Sequence, residues 1–434
     1  MDDLYTRRQA GAVMLAGAAT PLLHAAPAAG VTHVPWSRQA SIYEVNLRQF
    51  TPEGTLRAFE AQLPRLQRLG VGIVWLMPLQ PIGVKNRKGL LGSYYAIRDY
   101  TAVNPEFGTL DDCKRVVRRA HALGLKVILD WVANHTAWDH PWTTEHPERY
   151  KKNAQGEIYP VTFTPEGGPV ESWDDVVGLD YADRGLWDAM AEAMLFWLRE
   201  CDLDGFRCDV AGLVPTPFWD HLRPRLEAVK PVFMLAESDQ PELHAKAFDM
   251  SYDWALYETL KKIAQGQAGA AELRSWWTKR QDKYPADAIG MNFTGNHDTN
   301  SWAGSDAELY GSQAAFKAMA VLAATLPGMP LVYGGQESFF GKRLQFFEKD
   351  PIAWGSYPLA AFYTRLLALQ KRHPALAHGP GGSLQIEDGG NPALFSFTRR
   401  GGGRRLRVTV NLSGQRQTAA DGTRLAAWDW RIAP

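Results

Sequence analysis

Four carboxylates stand at the ends of short apolar runs in this 434-residue chain. Asp130 opens Asp130-Trp-Val-Ala-Asn134-His135, and Asp209 closes Gly205-Phe-Arg207-Cys-Asp209. Glu237 follows Phe-Met-Leu-Ala236, and Asp298 closes Gly295-Asn-His297-Asp298. An acid on an apolar strand is costly to bury without partners. A single case would read as a structural ion pair, whereas several at one mouth read as a site. Two carboxylates flanking a glycosidic bond can cleave it: one attacks the anomeric carbon or activates water, and the other protonates the leaving oxygen. The same set could instead hold a divalent metal for metal-assisted hydrolysis. Arg207 argues against the metal. Two residues before Asp209, it shares that residue's strand face, where a cation favours the carboxylate anion and repels a metal ion. Cys208 faces the other side and reads as packing.

These acids need a scaffold that brings strand ends together. Buried parallel strands are expected at residues 42–50, 72–77, 126–132, 205–210, 233–237, 250–254, 289–294 and 330–333, all short and rich in apolar residues. Helical spacing runs over 56–69, 110–123, 186–198, 217–229, 314–326 and 359–369, the first two stopping at Gly70 and Gly124. The alternation predicts a (β/α)8 barrel, with a doubly wound open sheet as runner-up, and barrels carry catalytic groups at the C-terminal ends of their strands. The barrel would comprise residues 31–134 and 183–376. Residues 135–182, rich in Trp, Pro, His and Gly, form an insertion after the third strand, too long for a simple loop. Residues 377–434 lose the helical pattern. Strand-like runs at 384–387, 394–398 and 406–411, separated by Gly389-Gly390 and Gly401-Gly402-Gly403, predict a small antiparallel β domain.

Lys+Arg and Asp+Glu balance at 47 each, which argues against nucleic acid or an anionic membrane as a partner. Sixteen Trp suit a large core or stacking on sugar rings. Three cysteines, Cys113, Cys201 and Cys208, make no disulfide framework and read as buried thiols. Residues 1–30 read as an export signal: Arg7-Arg8 precedes an apolar run, and Ala26-Pro27-Ala28 offers small-residue cleavage. Thr6-Arg7-Arg8-Gln9 resembles a twin-arginine signal. The expected location is periplasmic or extracellular, with no membrane span in the mature chain.

Taken together, the motifs at 130–135, 205–209, 236–237 and 293–298 resemble the four signature regions of the α-amylase family, glycoside hydrolase family 13. Asn104-Pro-Glu-Phe-Gly108-Thr109 and Gly328-Met-Pro330-Leu-Val-Tyr-Gly-Gly335-Gln-Glu337 add to the likeness, which extends from about Ser41 to the end. The insertion looks like the family's domain B and the tail like its domain C. The resemblance implies Asp209 as nucleophile, Glu237 as general acid/base and Asp298 as the acid that binds sugar hydroxyls. It implies that Arg207 holds Asp209, that His135 and His297 hydrogen-bond the sugar, and that Tyr95, with Tyr94 as second choice, is the stacking platform. Asp130 would be a structural acid. Asn134 matches a calcium ligand, with Asp174 and Asp175 at hand, or else caps its own turn. Gly212 and Leu213 stand where many members carry a Lys-His pair.

The expected activity is retaining hydrolysis of α-1,4 bonds in starch, glycogen or maltodextrins by a monomer needing no cofactor for catalysis. Alternatives are a glucan transferase, a hydrolase of α-1,6 links, sucrose or trehalose, and a non-catalytic sugar-binding homologue. Neighbouring strands lie about 4.8 Å apart, so Asp209 and Glu237 can approach the roughly 5–5.5 Å separation of retaining enzymes. Glu237 has no Arg in its own motif and reads as the group free to hold a proton. Trp138, Trp173 and Trp302 are expected in loops beside the motifs, as sugar subsites.

Overall fold

The computed structural model describes residues 31–164, 170–379, 382–387 and 390–434. The expected export signal and Gly389 lie outside them. Eight parallel strands close a barrel: β1 (Ile42–Val45), β2 (Ile73–Leu76), β3 (Lys126–Trp131), β4 (Gly205–Cys208), β5 (Phe233–Ala236), β6 (Met250–Tyr252), β7 (Ile289–Asn292) and β8 (Met329–Tyr333). Every strand pairs with its neighbours in chain order, and β8 returns to β1. All eight are buried along nearly their whole length, which is why they read as continuous apolar runs rather than alternating ones.

The helices between them are fixed locally. Helix Leu110–Ala122 begins in a capping box in which Thr109 and Asp112 satisfy each other's backbone amides. It buries Cys113, Val116, Val117 and Ala120, one helical stripe. Helix Arg184–Cys201 starts at Asp183, whose carboxylate accepts from the amides of Gly185 and Leu186. All three cysteines are buried free thiols.

Several expected boundaries are corrected. The first strand stops at Val45, and 47–50 form a helical turn instead. The expected helix over 56–69 is two pieces, Leu56–Glu60 and Leu63–Leu69, because Pro64 sits in the first turn of the second, where its missing amide costs nothing. Strand β7 ends at Asn292, so Asp298 lies beyond it, at the start of the helical turn that runs on through Thr299–Ala303, rather than at the strand end. Between β5 and β6 there is only the 3-10 turn Pro241–His244, whereas helices Trp254–Ala264 and Ala270–Lys283, not anticipated, both follow β6.

Within the insertion, strands His135–Ala137, Pro160–Phe163 and Glu171–Gly178 form a three-stranded sheet with the last at its centre. After the barrel, Ser383–Glu387, Leu394–Gly401, Arg404–Asn411 and Trp430–Ala433 form a four-stranded antiparallel sheet. No helix among the described residues is long and apolar enough to cross a membrane.

Candidate active site

Strands β3, β4 and β5 are in register, Trp131 beside Cys208 and Cys208 beside Ala236. The next residues, Asp209 and Glu237, therefore leave the barrel side by side; their amides still extend the ladder, to the carbonyls of Trp131 and Cys208. The close approach of β4 and β5 needs glycine at 205, where a Cβ would stand 1.9 Å from the Phe233 carbonyl oxygen. Immediately after Asp209 the chain turns through Val210 at φ 37°, a left-handed conformation costly for a β-branched residue. The turn aims the Val210 amide at Glu237 Oε2, 2.8 Å away.

Arg207 is fully buried and organises the acids. Its Nη1 donates to Asp130 Oδ1 at 2.8 Å and to Asp209 Oδ1 at 3.0 Å, and its Nε donates to the Tyr252 hydroxyl at 3.1 Å. Nη2 is ion-paired with Glu237 Oε2 at 2.9 Å. This corrects the expectation that Glu237 lies apart from arginine: one guanidinium bridges both carboxylates. Burial opposes the charge of Arg207, but Asp130 and Glu237 outweigh it and hold its pKa well above the ordinary value. Burial likewise raises the Asp130 carboxyl to about 6, against the pull of Arg207.

Asp298 sits across the mouth. Its Oδ2 lies 3.4 Å from His297 Nε2, and its buried Oδ1 has no protein partner among the described residues. Nδ1 of His297 is paired with Glu44 of β1, and Nε2 lies 2.8 Å from the Tyr95 hydroxyl, which donates to Asp130 Oδ2 at 3.1 Å. Burial works against a charged His297, but Asp298 and Glu44 outweigh it and raise the pKa to about 9. The ring is therefore an imidazolium at neutral pH. Tyr95 stacks on His297 with centroids 5.5 Å apart. Tyr94 lies outside this cluster, its ring under Arg48 at 4.2 Å. His135 is buried, with Nδ1 3.1 Å from the Asn134 amide and its ring edge-on to Trp173 at 5.6 Å.

Residues 37–251 match the Alpha-amylase family, by its description the Alpha amylase catalytic domain. A solved alpha-amylase from Lactobacillus plantarum superposes with a TM-score of 0.81 at 30% identity, covering 92% of this chain and 99% of that one. The chain belongs to the alpha-amylase family. It is also similar to alpha-amylase MalA of Haloarcula japonica, 28% identical over 415 residues, 92% of this chain and 60% of that protein. An alpha-1,4-glucan:maltose-1-phosphate maltosyltransferase of Rhodospirillum rubrum is 31% identical over 338 residues, 72% of this chain and 46% of that protein. The chain thus spans about half to three-fifths of the length of these two relatives.

Some site residues of this family member were not legible beforehand. Glu44, Trp75 and Tyr252 project from β1, β2 and β6, and Trp75 Nε1 donates to Asp130 Oδ2 at 3.1 Å. Glu44 carried the same signal as the four acids already singled out, a carboxylate inside an apolar strand. Phe346 gave none; it reaches Tyr95 and Trp302 from a loop, with centroids 6.3 and 5.5 Å away. Just past Asp209, Gly212 lies against Ser238, whose Oγ would be 2.8 Å from a Cβ there.

The donors around Asn134 do not fit the family's calcium. Its pocket, about 50 Å³, is lined by Lys151 and residues 159–162 and, among the described residues, by no carboxylate. Asp175 faces Lys88 at 3.5 Å, and Asp174 accepts from the Ser172 hydroxyl. Hard cations take several anionic or carbonyl oxygens, and an amine-bearing pocket does not assemble them. Trp173 is corrected as well: it lies on strand Glu171–Gly178, buried, rather than in a loop. Trp138 and Trp302 are half-buried, the first donating to the Asp174 carbonyl at 2.8 Å.

Proposed function

We propose that this protein is a retaining α-glucoside hydrolase acting on α-1,4 bonds of starch, glycogen or maltodextrins. The observation that carries the reading is the single guanidinium of Arg207 holding Asp209 at 3.0 Å and Glu237 at 2.9 Å. Two carboxyls gathered on neighbouring nitrogens of one group leave little room for the water that an inverting enzyme places between its acids. Asp209 attacks the anomeric carbon and the glycosidic oxygen leaves with the proton of Glu237. A glycosyl ester on Asp209 results. Glu237 then takes a proton from water, which attacks the same carbon and releases Asp209. The open Oδ1 of Asp298 can accept from a sugar hydroxyl, while His297, whose two ring nitrogens are engaged by Glu44 and Tyr95, orients the cluster around it. Tyr95 offers its ring to the sugar face. Asp209, Glu237 and Asp298 carry the chemistry; Arg207, His135, His297 and Tyr95 bind or orient.

Proton NMR of the first product from maltoheptaose tests this: the α-anomer is expected first, and a β-anomer would refute the nucleophile assignment. A second reading, glucan transfer, draws on the likeness to the maltosyltransferase of Rhodospirillum rubrum and on Gly212 and Ser238, just past Asp209 and Glu237. Longer oligosaccharides, rather than shorter ones only, would accumulate in the same reaction. Export is part of the proposal, supported by the composition of residues 1–30. Mass spectrometry of the exported protein should find a chain beginning near 26–30.

A further inference from the structure

On the opposite side of the barrel from the carboxylates, the residues entering β7 and β8 face the four-stranded sheet across a cleft of about 340 Å³. Arg399, on strand Leu394–Gly401, lines this cleft and is only 3% exposed. Its Nη1 donates to the Thr325 carbonyl at 3.0 Å, at the C-terminal end of helix Gln313–Thr325. Its buried Nε has no partner among the described residues. A guanidinium has five donors, and the helix end offers only a partial negative charge. Among the described residues no Asp or Glu lines the cleft. The second arginine there, Arg280, is already taken by Asp253 at 3.3 Å and the Ala288 carbonyl at 3.1 Å. His378, also on the wall, is driven down to about 4 by burial and is neutral. Arg399 is thus a buried charge with no carboxylate against it among the described residues, a costly arrangement, and it opens on space lined by the rings of Trp277 and Tyr284.

We infer that this cleft between barrel and β domain binds a phosphate-type oxyanion through Arg399. The volume admits either the free ion or the phosphate ester of a sugar, whose ring would lie against Trp277 and Tyr284. Burial lowers Arg399 to about 10, so it is still cationic when the anion arrives. Binding to the folded state alone raises thermal stability by mass action.

The test is the Tm of the full chain titrated with inorganic phosphate, glucose 1-phosphate or glucose at constant ionic strength. A saturable rise of several degrees with the phosphate compounds, and none with glucose or chloride, is expected. Equal half-saturation by the two phosphates marks the free ion as ligand, and a lower value for the ester marks the sugar phosphate. Arg399→Gln should abolish the rise. Gly382→Asp serves where that variant folds poorly: a Cβ there would lie 3.4 Å from Arg399 Nη2, so the new carboxylate occupies the anion's place. It should raise the ligand-free Tm and remove the response. No rise at tens of millimolar phosphate, or a rise that persists in Gly382→Asp, would overturn the proposal.

Discussion

Arg207 reaches Glu237 as well as Asp209, through different nitrogens of one guanidinium, at 2.9 and 3.0 Å. The planar fork of one guanidinium therefore hydrogen-bonds Asp209 and faces Glu237 as an ion pair. Lysine would keep the charge but cannot serve two acids at fixed angles. Arg207→Lys is expected to lower kcat by about three orders of magnitude, on the scale of losing a positioned electrostatic group. KM should change little. A kcat within tenfold of wild type would show that the fork is dispensable.

The two carboxylates should separate by leaving group. Asp209→Asn should lose several orders of magnitude in kcat on every substrate. Glu237→Gln should be severe on maltosides with poor leaving groups and mild on activated aryl maltosides, because only the former need the proton. Equal losses on both substrates would remove Glu237 from the acid role.

His297 predicts a pH-dependent stability. Its pKa, raised in the fold to about 9 from 6.5, means that the protonated ring stabilises the folded state. That contribution is complete below about 6.5 and is lost as pH climbs through about 9. Glu44→Gln removes the Nδ1 partner, so the Tm gap between wild type and variant should narrow across this window. A gap that is constant from pH 6 to 10 would place the charge elsewhere.

Removal of divalent ions should do nothing. With Lys151 and, among the described residues, no carboxylate around Asn134, excess chelator should leave both Tm and kcat unchanged. A fall in Tm reversed by calcium would show that ligands assemble there after all.

The tryptophans should divide. Trp302, half-buried beside Phe346, should on replacement by Ala weaken long maltooligosaccharides more than short ones. Trp173, buried against His135 and Phe163, should instead cost about 3–5 kcal/mol of stability as Trp173→Ala. Urea unfolding and chain-length-dependent KM distinguish the two.

The barrel, and the acids that gather at its mouth, were legible in the chain. Each depends on local pattern: apolar strand runs, capped amphipathic helices, and carboxylates where burial makes them expensive. Asp130, Asp209 and Glu237 announce themselves because an acid in an apolar run has few bland explanations, whereas Asp298 is marked by its Gly-Asn-His-Asp motif. What folding alone decided is which groups face one another across strands. Arg207 is two residues from Asp209 in sequence but 30 from Glu237; only the register of β4 with β5 lets one guanidinium reach both. Glu44 and His297, 253 residues apart, meet because β8 closes the barrel onto β1. Trp173 became packing and Asn134 gained a lysine neighbour because the separate three-stranded sheet folds the insertion onto itself. The chain determines how a residue behaves locally, but the partner that sets its charge or its burial comes from another strand, fixed by strand register and sheet closure.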